Sequence, residues 1–120
     1  MTLEEWQEYR KQMNEKILGA DNLGIKRFFA LDHQAYTEGA LSPKVKELLG
    51  LVASLVLRCD DCITYHVIQC HEAGVTRDEF LEAFNVALVV GGSITIPHLR
   101  RAFERMEEVE AADERAEKSK

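Results

Sequence analysis

Residues 45–57 read VKELLGLVASLVL, apolar at almost every position and introduced by Ser42-Pro43. Serine followed by proline is the pattern of a helix N-cap with proline in the first turn, where a missing N–H costs nothing. A helix apolar on nearly every side has to be covered on most of them. The segment is therefore expected to be the central core element, with the rest of the chain as its cover.

That cover also reads as helical. Thr2 with Glu5 has capping-box spacing, and Trp6, Tyr9, Met13, Ile17 and Leu18 recur at helical intervals until Gly19. A second helix is expected over residues 25–38, carrying Phe28, Phe29, Leu31, His33 and Tyr36 and stopping at Gly39, a residue suited to a left-handed C-terminal position. Past residue 57 the apolar pattern continues through Val67 and Ile68 to Gly74. Thr76 with Glu79 then repeats the capping-box signal ahead of Phe80, Leu81, Phe84, Ala87, Leu88 and Val89. Gly91-Gly92 breaks that helix. Ile94-Thr95-Ile96 has no partner run to form a sheet with, so it reads as the start of a last helix through Leu99, Phe103 and Met106. The fold class is all-α, about five to six helices in one domain over residues 1–120. Its core is expected over about 25–106, with 107–120 a polar helix end or disordered tail.

Charge and patterning exclude several functions. A formal net charge of −6 with no Lys/Arg run gives no phosphate-tracking surface, which argues against nucleic acid. The longest uncharged stretch, residues 83–97, is too short to span a bilayer and is interrupted by Gly91-Gly92, so no membrane partner is expected. The first residues carry charges every few positions instead of a basic start and an apolar stretch, and a cytoplasmic protein is expected. In a reducing compartment three cysteines do not read as a structural disulfide framework, so a close pair points to catalysis or metal binding.

That pair lies in CDDCITYH, residues 59–66. On a helix Cys59, Cys62, His66 and Cys70 share a sector of about 80°, at ~100° per residue. Cys59 and Cys70 would stand roughly 16 Å apart along the axis, too far for one tetrahedral ion with bonds of about 2.0–2.3 Å. A zinc site from Cys59, Cys62 and His66 would need an outside fourth ligand, and the chain has no second CxxC to supply it. The redox reading asks for less. A CxxC pair at a helix start can close into a disulfide, the helix dipole favours a thiolate there, and His66 lies one turn from Cys62 as a base or proton donor. The third reading is that these are core residues that happen to be close. Cys70 fits a small buried apolar residue. Asp60 and Asp61 fit the first turn of a helix, and His33, His71 and His98 have no partner that spacing names.

The stretch ELLGLVASLVLRCDDCITYHVIQCHEAGVTRDEFLEA resembles the core of the carboxymuconolactone decarboxylase/alkylhydroperoxidase D family, over about residues 43–98. Redox members of that family place a glutamate twelve residues ahead of CxxCxxxH, a pattern matched by Glu47, Cys59, Cys62 and His66. The resemblance implies an alkylhydroperoxidase D-like helical fold and a thiol-dependent peroxidase or disulfide reductase. In it Cys62 attacks, Cys59 resolves as a disulfide, and Glu47 and His66 relay protons. It implies a small hydroperoxide or disulfide substrate and a lipoyl or thioredoxin-like dithiol donor, with no cofactor and no metal. Subunits of this length are expected to form a homo-oligomer, a hexamer ahead of a trimer, through residues 45–57 and 84–96. The alternatives are an acid/base enzyme like the non-redox decarboxylase branch, which lacks the CxxC pair, and a zinc-binding or structural oligomeric protein. One position departs from the family: Asp61 stands where the peroxidases carry a histidine, adding negative charge that disfavours a thiolate. On one unbroken helix Glu47 and Cys59 would lie about 18 Å apart, so a joint site requires a break near Arg58 and an antiparallel turn that brings Glu47 opposite His66.

Overall fold

The computed structural model describes Met1–Ser119, so the last residue of the expected tail lies outside the described residues. Those residues form six α-helices and one short 3₁₀ turn, with no strand among them, as the capping and periodicity signals predict. They fall into two compact groups, one over residues 1–38 and one from Gly39 onward.

The first group is a pair of helices. Helix α1, Leu3–Gly19, begins with the predicted capping box: Thr2 Oγ1 accepts from the Glu5 N–H at 3.1 Å, and Glu5 Oε1 accepts from the Thr2 N–H at 3.2 Å. It buries Leu3 and Trp6, with the Arg10 guanidinium 5.8 Å from the Trp6 ring. Helix α2, Leu23–Ala35, starts two residues before the expected position and ends three before it. Its start is set by Asn22, whose side chain caps the Ile25 N–H, a signal the apolar pattern does not carry. It has no buried residue, and Phe28 and Leu31 are each about two-thirds exposed, 67% and 65%.

In the second group α3 is Pro43–Leu57, α4 is Asp60–Glu72, α5 is Arg77–Gly91, and α6 is Ile96–Lys118 after a 3₁₀ turn at Ser93–Thr95. Ser42 caps α3 with Pro43 in its first turn, and the Thr76/Glu79 box opens α5. Helix α3 packs on α4 and α5, and α4 packs on α6. The seam is filled by Leu51 and Leu55 of α3, Ile63, Val67 and Cys70 of α4, Phe80, Phe84 and Ala87 of α5, and Ala102 and Met106 of α6, all buried. Within one chain the cover of α3 is partial, and its exposed apolar residues lie in the stretch expected to meet other copies. Leu51 and Leu55 are fully buried, but Val45, Leu49 and Leu57 on the same helix are exposed, at 39%, 56% and 76%. Composition records how apolar a helix is and not how many neighbours reach it. The tail is helical through Lys118, tied back by Arg77 to Glu110 at 2.7 Å and His71 to Asp113 at 2.6 Å, with Val109 buried.

The connection between α3 and α4 takes only two residues. The Arg58 N–H returns to the Leu55 carbonyl and the Cys59 N–H to the Ser54 carbonyl, both at 3.1 Å. These are the two bonds of a Schellman termination. Arg58 sits in its left-handed position, at φ 60° and ψ 42°, where glycine is the usual occupant. The same bond pattern closes α4, where Gly74 fills that position at φ 89° and the Val75 N–H reaches the Cys70 carbonyl.

Candidate redox and proton-relay site

Because the chain reverses at Arg58, residue 47 on α3 comes back beside residue 66 on α4. His66 Nδ1–H donates to Glu47 Oε2 at 2.8 Å. The two residues are 6% and 7% exposed, so this is a buried carboxylate–imidazole pair, with His66 also edge-on to Tyr65 at 5.1 Å between ring centres. Two ionisable groups are kept out of water only where each satisfies the other, and removing one partner from such a pair costs about 3–5 kcal/mol. The hydrogen bond fixes the ring and leaves Nε2 as the nitrogen that can exchange a proton.

Gly50 makes the room for that ring. It lies three residues, close to one turn, after Glu47 on the face turned toward α4. A Cβ built on it would meet the His66 ring at 2.6, 2.8 and 2.9 Å. No side chain fits there while the imidazole holds its place. Sequence reasoning passed over Gly50. The available signal was a glycine inside an apolar helix, which points to close packing and not to a particular partner.

Cys59 serves both helices. It is the last residue of the α3 termination and the N-cap of α4, its Sγ accepting from the Cys62 N–H at 3.3 Å. Both cysteines are free thiols, Cys59 partly and Cys62 well exposed. Cys62, in the first turn of α4, has its thiol pushed up to about 11, first by the burial its sulfur experiences, then by Cys59, with the Asp61 carboxylate adding to the rise. The backbone amide at the helix start lowers this thiol, as expected, but burial, Cys59 and the negative charge at position 61 outweigh it. Cys70 is fully buried, its thiol pushed up to about 12 by burial and by the Glu47 carboxylate, which suits a core residue. Among the described residues no three His, Cys, Asp or Glu side chains are grouped to hold a metal ion.

The structure thus brings Glu47 and His66 into contact and links Cys59 to the Cys62 backbone. It also finds partners that spacing did not name: His98 Nδ1–H donates to Asp60 Oδ1 at 2.8 Å, and Arg101 Nη1 donates to Asp60 Oδ2.

The fold is all-α, with a CxxC pair opening one helix and a buried Glu–His pair joining that helix to the one before it. The chain belongs to the carboxymuconolactone decarboxylase family, whose pattern matches residues 25–105. Two crystal structures of TM1620 from Thermotoga maritima align at a TM-score of 0.89, with 51% and 50% identity, over 92% and 94% of this chain and 97% and 96% of theirs. For TM1620, described as a carboxymuconolactone decarboxylase family protein, a part in the antioxidative response has been suggested. The apo structure of lpg0406 from Legionella pneumophila, of the same family, aligns at 0.65 with 30% identity, over 85% of this chain and 84% of that one. An uncharacterized protein of the cox locus of Paracoccus denitrificans is 28% identical over 71% of this chain and 77% of its own length. No helix of the described residues is long and apolar enough to cross a membrane.

Gly50→Ala tests the packing of the ring. In an ordinary helix interior this change stabilises by about 1 kcal/mol. Here it is expected to destabilise by about 1–3 kcal/mol, because the imidazole must leave its place; urea unfolding of the two proteins gives the sign directly. The raised Cys62 thiol gives a second expectation. Only the thiolate reacts with iodoacetamide, so the alkylation rate of Cys62 should climb about tenfold per pH unit from about pH 7 and level off near the value of about 11. A plateau below about pH 8 contradicts it.

Proposed function

We propose that the protein is a thiol-dependent redox enzyme that reduces hydroperoxides or disulfides by cycling Cys59 and Cys62 between dithiol and disulfide. The observation that carries this reading is one short stretch of α4 with two free thiols at its start and, one turn beyond Cys62, an imidazole held by a buried carboxylate. Membership of a family that contains enzymes, and the antioxidative part suggested for TM1620, agree with it.

In the proposed cycle His66 takes the proton of the Cys62 thiol, and the thiolate attacks the terminal oxygen of a hydroperoxide. The O–O bond breaks, the alcohol leaves with the proton returned through His66, and Cys62 is oxidised to a sulfenic acid. The Cys59 thiol attacks that sulfur, the S–O bond breaks, water leaves with the thiol proton, and a disulfide forms. A lipoyl or thioredoxin-like dithiol restores the pair by exchange and is itself oxidised. Glu47 orients the imidazole. Because Cys62 starts from a thiol pushed up to about 11, the base is needed at neutral pH. Asp61→His, which replaces a carboxylate beside the sulfur with a second proton carrier, is expected to quicken the first step.

Adding hydroperoxide to the reduced protein should remove two thiols per chain, and Cys70→Ala should leave that number unchanged. Cys62→Ser should abolish peroxide consumption. Cys59→Ser should stop at a sulfenic acid on Cys62 that dimedone labels, and labelling confined to Cys59 in the reciprocal variant would reverse the two roles. If no thiol is lost, the Glu47–His66 pair is left as an acid–base device and the alternative, lactone- or ring-acting, reading takes over.

We also propose that the protein works as a homo-oligomer, a hexamer ahead of a trimer. Val45 and Leu49 of α3 and Val86, Val89 and Val90 of α5 are exposed, and Val45, Leu49 and Val86 border a groove of about 300 Å³ floored by Leu48, Val52 and Ala83. Apolar helix faces left open on a chain of 120 residues are commonly closed by copies of the chain. Light scattering should give a multiple of 13.7 kDa that holds over a tenfold dilution, and a stable mass at 13.7 kDa overturns the proposal.

A further inference from the structure

The aspartate between the two cysteines at position 60 is held from another helix. Its carboxylate accepts from His98 Nδ1 at 2.8 Å and from Arg101, three residues apart on the first turns of α6. Its backbone carbonyl accepts from Thr64 Oγ1 at 3.0 Å, and Thr64 Oγ1 in turn accepts from Arg105 Nε at 3.3 Å. Residues 98, 101 and 105 of α6 thus grip the first turn of α4, the turn that carries both sulfurs. Asp60 stands two residues before Cys62, so an uncompensated charge on it would oppose the ionisation of that thiol. Arg101 supplies the compensating cation.

We infer that Arg101, which with His98 clamps Asp60 from α6, cancels the Asp60 charge so that it does not suppress the Cys62 thiolate. The inference rests on the redox reading of the Cys59–Cys62 pair. The charged or titratable groups around the turn are Cys59 and Asp61 beside Cys62, the Glu47–His66 pair from α3 and α4, and, from α6, His98, Arg101 and Arg105, the last paired with Glu108. Asp60, His98 and Arg101 keep 41%, 19% and 59% of their side-chain surface in solvent, so none is a core residue whose replacement should empty a cavity.

Two substitutions should act in opposite directions. Asp60→Asn removes the anion and leaves the Arg101 cation, so Cys62 should react faster with iodoacetamide at fixed pH. Arg101→Ala leaves the anion bare, so it should react more slowly. For one unit charge screened by water near a helix end, each change is about twofold. Arg101→Lys should restore the rate, and the charge-neutral double variant Asp60→Asn/Arg101→Ala should lie near the parent. The rates are measured on reduced protein in a Cys59→Ser background, where Cys70 is buried and Cys62 is the accessible thiol. Should Arg101→Ala fail to fold, Arg101→Gln makes the same charge change. A turn that is merely loosened would move both single variants the same way, and that result, or no change in either, overturns the inference. Alkylation needs no peroxide, so this outcome is separable from the redox reading, which fails if the parent protein loses no thiols to hydroperoxide.

Discussion

The site depends on a reversal of the chain that takes two residues. A helix running on from Pro43 through Cys59 would carry Glu47 far from His66; the Schellman bonds at Arg58 and Cys59 fold it back, and the 2.8 Å contact between Glu47 and His66 follows. The reversal also economises on residues, because Cys59 ends one helix and caps the next. A sulfur is a weak acceptor compared with the oxygen of Ser42 or Thr76, which cap α3 and α5. A stronger cap would have been available from serine or aspartate at position 59. On the proposed redox reading, the thiol in that place trades some capping strength for reactivity. Arg58, in a backbone conformation that costs an L-residue roughly 1–2 kcal/mol, adds to what the turn must be held by.

What holds it comes from the helices on either side. On the α3 side the buried Glu47–His66 bond joins the two helices a turn beyond the cysteines, and it exists only because Gly50 leaves the imidazole its space. On the α6 side the Asp60 clamp joins the first turn to a helix that begins some forty residues later. The exposed pair therefore sits between one buried and one half-exposed polar anchor. Neither anchor is strong evidence for stability, since a buried ion pair gains little over well-packed apolar groups. Both restrict geometry.

Much of this was legible in the sequence, for local reasons. The caps at Thr2, Ser42 and Thr76 each involve a side chain and an amide three residues away, so spacing reveals them, and the break at Arg58 follows once Glu47 and His66 are required to meet. The start of α2 was missed because its signal is the single residue Asn22 and not a periodic pattern. Which apolar residues of α3 stay open on one chain, Val45, Leu49 and Leu57, was not legible because a run of apolar residues does not say which neighbours arrive. His98 was unreadable for another reason: 38 residues separate it from Asp60, and only the packing of α6 on α4 brings them together.

The electrostatics of the pair have a consequence for how such a site can work. A thiol pushed up to about 11 is almost wholly protonated at neutral pH, so ground-state thiolate is scarce. Low-pKa thiols gain thiolate but lose intrinsic nucleophilicity, whereas a high-pKa thiol gives a stronger nucleophile once its proton is removed. A site of the second kind needs a base delivered at the moment of attack, and that base must be oriented in advance, since searching for the right geometry would forfeit the gain. In the proposed cycle, a buried imidazole fixed by a carboxylate meets that requirement. Asp61 raises the Cys62 thiol and so deepens the dependence on His66, while Arg101 keeps Asp60 from deepening it further. The two aspartates between the cysteines, alike in sequence, therefore differ in effect: the Asp61 charge acts on the sulfur, and the Asp60 charge is met by Arg101.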